Sequence, residues 1–147
     1  GLAVDGELFA ATVMATLNDP RSWGGDGSVT FARTDGPADI RVVLASPQKV
    51  DAMCAPLTTD GRYSCGRNGH AAINHDRWVN ATEEYLEVSD VTTYRQYVVN
   101  HEVGHLLGHQ HRSCPAAGER AHVMQQQSVQ VAPCTANAWP FPDAPAD

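Results

Sequence analysis

The run His101-Glu102-Val103-Gly104-His105-Leu106-Leu107-Gly108-His109-Gln110-His111 places four histidines, one glutamate and two glycines within eleven residues. On an α-helix, side chains four positions apart lie about 6 Å apart along the axis and about 40° apart around it, so His101 and His105 point the same way. Two imidazoles so placed can each reach one tetrahedral ion at about 2.0–2.1 Å, while Glu102 lies beside the ion and stays free to act as a base. Gly108 predicts the end of that helix, because glycine accepts the positive φ that redirects a chain. The redirected segment offers His111 as a third ligand. His109 is the alternative, since a helix continued for one more turn would align it behind His105. The pattern His-Glu-x-x-His-x-x-Gly-x-x-His arises by chance in about 1 of 20,000 chains of this composition, so coincidence explains it poorly. A closed structural zinc site competes with this reading, but such a site has no use for the glutamate and usually takes a fourth protein ligand.

Upstream of the motif, Ser89 or Asp90 can cap a helix that runs through Tyr94, Tyr97 and Val98 to Gly108. Its apolar residues, Tyr94, Tyr97, Val98, Val99, Val103, Leu106 and Leu107, cover much of the circumference and predict a buried helix. Nearer the start, residues 7–17 carry a helical stripe of Phe9, Val13 and Leu17, with Asp5 as cap and Pro20 as stop. Trp23 reads as core, and residues 24–27, Gly-Gly-Asp-Gly, as a flexible connection that lacks the lysine of a phosphate loop. Residues 29–34 and 40–45 read as strands separated by Asp35-Gly36-Pro37, the second apolar enough for burial on both faces. Residues 46–69 look too irregular for a long element. Residues 71–79 read as a further strand, an expected sheet edge, with His70 and His75 as surface or strand histidines rather than ligands. After the motif, residues 112–147 form an irregular part that contains Met124 and the Trp139-Pro140-Phe141-Pro142 tail.

With 147 residues, 42% hydrophobic and 18% charged, the chain fits one folded domain and not a disordered segment. Ten basic against 17 acidic residues give a net charge of −7 with no basic stripe, which argues against nucleic acid as a partner. The longest apolar run falls far short of the ~18 residues needed to cross a bilayer, so no membrane insertion is expected. The abrupt opening on Gly1-Leu2-Ala3 reads as a mature or trimmed start. Four cysteines, Cys54, Cys65, Cys114 and Cys134, show no Cys-x-x-Cys spacing and read as disulfides. The sequential pairing is favoured because Cys54 and Cys65 bracket a turn-rich loop while Cys114 and Cys134 bracket the segment after the motif. Each loop closure contributes about 3 kcal/mol. Such bridges imply an oxidising compartment, and hence a secreted or cell-surface protein.

The extended motif at His101, Glu102, His105, Gly108 and His111 resembles that of the metzincin clan of zinc endopeptidases. Met124, the only methionine downstream of the motif, is similar in placement to the clan's methionine turn. His-Glu-Val-Gly-His-Leu-Leu-Gly-His, together with the later Val-Met-Gln-Gln-Gln, further resembles a poorly characterised family of secreted bacterial metzincin-like domains. The resemblance implies an α+β fold: a twisted mixed sheet, a backing helix and an active-site helix in residues 1–108, then a small irregular part in residues 109–147. It favours His111 over His109 as third ligand, places Met124 beneath the ligands and makes residues 125–131 a pocket wall. Gln125, Gln126 and Gln127 stand where some clan members carry a tyrosine that can approach the metal. The implied function is a zinc metallopeptidase with one catalytic Zn2+ ion on His101, His105 and His111, and Glu102 as general base. Its partner would be a protein or peptide substrate, added to the edge formed by residues 71–79. A metal-holding binding module without catalysis and a zinc amidase acting on a small or cell-wall peptide are the rival readings. Neither substrate identity nor oligomeric state is legible.

Overall fold

The computed structural model describes residues 2–145; Gly1, Ala146 and Asp147, at the ends of the expected domain, lie outside the described residues. Its longest helix is α5 (Val91–Leu106), which begins where the Asp90 carboxylate accepts the Thr93 N–H at 2.7 Å. A cap of this kind contributes about 1 kcal/mol. Tyr94, Tyr97, Val98, Val99 and Val103 are all fully buried, as the apolar circumference predicts. The helix is enclosed because a sheet, the first helix and the C-terminal segment each take one side of it.

The sheet is mixed and three-stranded, in the order β1 (Arg41–Ala45), β3 (His70–Asn74), β2 (Cys65–Arg67). β1 runs parallel to β3 with Val43 opposite Ala72, and β2 runs antiparallel to β3 with Cys65 opposite that same Ala72. Alternation along the strands divides the core. Ala71 and Ile73 join Val42 and Leu44 on the face that meets α5, whereas Ala72 joins Val43 and Ala45 beneath α2 (Pro47–Cys54). That is why β1 is apolar at every interior position although it lies at the sheet edge.

Helix α1 (Gly6–Leu17) matches its expected span and packs along α5. The Asp5 carboxylate accepts from the Glu7 and Leu8 N–H groups, and Phe9 meets Trp78 edge-on at 4.7 Å. Two short helices, α3 (His75–Asn80) and α4 (Glu83–Leu86), connect the sheet to α5.

Four expectations need correction. Residues 29–32 alternate half-buried and exposed, but residues 29–34 join no ladder: no strand pairs with them among the described residues, and the outer edge of β1 stays unpaired. Residues 24–27 are not a flexible tether: Trp23–Asp26 is a 3-10 turn pinned by Trp23 Nε1–H donating to the Asn100 carbonyl at 2.8 Å. The irregular stretch contains α2, announced by Ser46 as N-cap and Pro47 at the first helical position. Residues 71–79 are not one strand. β3 stops at Asn74, whose side chain accepts from the Asp76 and Arg77 N–H groups and opens α3, and β3 is the central strand, not an edge.

Beyond Leu106 the described chain has no helix or extended strand, only a single bridge between Arg120 and Thr135. Buried amides hold it instead. Gln127 Nε2 donates to the His122 and Asn137 carbonyls, and Asn137 Nδ2 donates to the Ala121 and Trp139 carbonyls. Cys114 pairs with Cys134 and Cys54 with Cys65, the sequential connectivity expected.

Candidate metal centre

Helix geometry sets the first two side chains. His101 and His105, one turn apart on α5, stand with ring centroids 5.0 Å apart at 89°. The helix then closes in a Schellman arrangement: the Gly108 N–H donates to the His105 carbonyl at 3.0 Å and the His109 N–H to the Gly104 carbonyl at 2.9 Å. Gly108 sits at φ +96°, a conformation that side chains other than glycine's resist. The chain doubles back and carries His111 to the pair, with His111 Nε2 3.1 Å from His105 Nε2. The Arg112 N–H, next in the chain, is fixed on the Met124 carbonyl at 3.0 Å.

These three histidines form a group that can hold a metal ion, their ligand atoms all lying within 4.8 Å of one another. The rings are backed from behind. His101 Nδ1 lies 2.9 Å from the Val123 carbonyl and His105 Nδ1 lies 3.0 Å from the His109 carbonyl. Carbonyls only accept, so each Nδ1 carries the proton and each Nε2 presents a lone pair. Two nitrogens about 2.0–2.1 Å from one tetrahedral ion stand about 3.3 Å apart, close to the His105–His111 separation, so the donor set suits such an ion. His109, the alternative ligand, is excluded from the group: its ring stacks on Trp23 at 4.1 Å and its carbonyl serves His105. His70 and His75 also lie outside the group.

Glu102 is buried, with a carboxylate oxygen 4.0 Å from His105 Nε2. Burial pushes its carboxyl up to about 8, and burial likewise holds His101 down to about 3 and keeps His105 and His111 below the ordinary imidazole value. At neutral pH the histidines are therefore ready for a cation, while Glu102 holds a proton that a cation at the histidines would expel. The metal-free form binds more protons, so raising the pH favours metal uptake. Affinity measured by chelator competition should rise about tenfold per unit near pH 7 in the wild type and stay nearly flat in Glu102→Gln.

The centre opens into a cleft of about 480 Å³. One wall is the segment from Leu57 to Gly66, closed off by the Cys54–Cys65 bridge; the other is Gln126, Ser128 and Val129; Tyr97, His101, Glu102 and His105 lie between them. Gly66 lies so close to α5 that a Cβ there would fall 2.1 Å from the Glu102 carbonyl oxygen. Met124 is fully buried, and a Cβ on Gly104 would come within 2.7 Å of its Sδ, so it packs directly under the turn between His101 and His105. A smaller groove of about 260 Å³, between Arg112, Arg120 and Trp139, contains none of the three histidines. Sequence reasoning missed Tyr97 and the Leu57–Gly66 wall as parts of the site. Tyr97 had a readable signal, since it lies one helical turn before His101 and so shares its face.

No helix of the described residues is long and apolar enough to cross a membrane, and the two disulfides suggest an oxidising, extracytoplasmic setting. Neither a curated protein nor a solved structure matches the chain. The chain belongs to the family described as Protein of unknown function (DUF3152), whose family model matches residues 2–142.

Proposed function

We propose that this member of a family without an assigned function is a secreted, zinc-dependent endopeptidase with a metzincin-like arrangement. The observation that carries the reading is a buried carboxylate 4.0 Å from one nitrogen of a three-histidine group at the floor of an open cleft. Three neutral nitrogen donors with one side left open are what a catalytic zinc takes, and a closed structural site would require a fourth ligand. When bound, zinc supplies a Lewis acid that acidifies water and polarises a carbonyl.

The chain's own residues supply the rest. Glu102 accepts the proton of the attacking water on its carboxylate and passes it to the leaving amine, and its low exposure keeps the base poorly solvated and strong. His101 and His105 are held by backbone carbonyls, so the donor set needs little rearrangement. An extended peptide would run along β2, the sheet edge whose residues line the cleft; this replaces the edge expected at residues 71–79. Apart from Glu102 and the histidines, the cleft is lined by uncharged side chains, among them the exposed Leu57 and Val129 on opposite walls, which suits uncharged apolar residues beside the scissile bond.

Wild type and Glu102→Ala, each loaded with one equivalent of zinc, should be compared on a mixed peptide library. Cleavage should fall by about 10²–10⁴-fold in the variant while zinc content is unchanged. A fully loaded wild type that cleaves nothing would instead favour a metal-holding binding module.

A further inference from the structure

The Tyr97 hydroxyl is buried beside the centre without facing the position a metal would take. Its ring lies against Tyr85 and Tyr94 and stands 5.1 Å from the His101 ring. A phenylalanine would fill the same space, so the oxygen must be explained by what it bonds. Its proton goes to the Gln125 carbonyl at 3.0 Å, and the oxygen accepts the Gln127 N–H at 3.0 Å. The remaining contact is to His101 Nδ1 at 3.2 Å. A hydroxyl has one proton to give and two lone pairs to fill, and here all three are used.

These partners fall in two groups. Gln125 and Gln127 lie in the loop that begins at Met124, and Val123, just before it, supplies the carbonyl on which His101 Nδ1–H rests. The hydroxyl therefore clamps this loop to α5 and also gives the same Nδ1–H a second acceptor. Both acceptors hold the proton on Nδ1 and leave Nε2 free. Tyr94 provides a natural contrast: its hydroxyl bonds Ser128 Oγ at 2.9 Å, in the same loop, and touches no histidine.

We propose that Tyr97 is a positioning residue of the metal centre, whose hydroxyl fixes the tautomer and orientation of His101 by joining its Nδ1–H to the backbone of residues 125–127. This rests on the three histidines being a metal site and is independent of the peptidase reading. Removing such an outer partner lowers metal affinity by about 10–100-fold in comparable sites.

The test uses zinc affinity, measured by chelator competition, and the visible absorption of the cobalt-substituted protein. Tyr97→Phe should lower zinc affinity by about 10–100-fold and alter the cobalt spectrum, whereas Tyr94→Phe should stay within about threefold with the wild-type spectrum. Equal effects of the two substitutions would reduce Tyr97 to loop packing and overturn the proposal. A second measurement needs no variant: nitrogen NMR of metal-free wild type should find His101 protonated at Nδ1, and protonation at Nε2 would overturn it too. Wild type that takes up neither zinc nor cobalt would remove the metal centre and this role together.

Discussion

His111→Ala is expected to lower zinc affinity by two to three orders of magnitude, while His109→Ala leaves it within about threefold. The estimate for His111 divides the about 10–16 kcal/mol of a typical zinc site among its ligands, which gives about 2.5–4 kcal/mol for each. His109 contributes differently. Its carbonyl, which any residue would provide, holds His105 Nδ1, and its ring contributes only the stack on Trp23. Loss of such a stack costs about 0.5–1.5 kcal/mol of stability and no ligand atom. Parallel chelator titrations of the two variants, with a thermal melt of each, separate these outcomes. Comparable loss of affinity in both would mean that the chain after Gly108 takes another path.

Gly66→Ala should be the most destabilising small substitution near the cleft. The added carbon would fall 2.1 Å from the Glu102 carbonyl oxygen and 3.1 Å from His105 Cβ, and neither helix backbone nor sheet edge can yield cheaply. Overpacking against movable side chains costs about 1–3 kcal/mol, so a clash with backbone belongs at the upper end, about 3 kcal/mol or a fall of about 10 °C in Tm. Gly6→Ala is the control, because a Cβ there meets nothing within 4 Å. Thermal melts of the two variants check the expectation. A Gly66→Ala protein that melts with wild type would mean that β2 stands further from α5 than described.

What could be read in advance depended on whether the cause was local in the chain. His101, Glu102, His105 and the break at Gly108 are consequences of helix pitch and one permissive residue, and the described geometry places them as the spacing requires. The cysteine pairing was legible because each bridge closes a short loop. Residues 29–34 misled because alternation reports burial on one side, which Val29 and Phe31 have, but says nothing about a neighbouring strand. Asn74 and Ser46 were caps hidden inside stretches read as strand and as loop. The carbonyls of Val123 and His109 that orient the ligands belong to the backbone, and no residue type marks them. The spacing of Tyr97, one turn before His101, places it on the same helix face, but nothing in a single sequence separates a tyrosine wanted for its ring from one wanted for its oxygen.

The amides that hold the chain beyond Leu106 carry a thermodynamic consequence. Beyond Leu106 the backbone makes only isolated turns and one bridge among the described residues, so Gln127 and Asn137, whose amides join points ten or more residues apart, are what couples its parts into one opening unit. His111 and the Val123 carbonyl both lie in that unit, while His101 and His105 lie in α5. An ion held by all three histidines would bind only while that unit is closed, so its binding would add to the stability of the residues beyond Leu106.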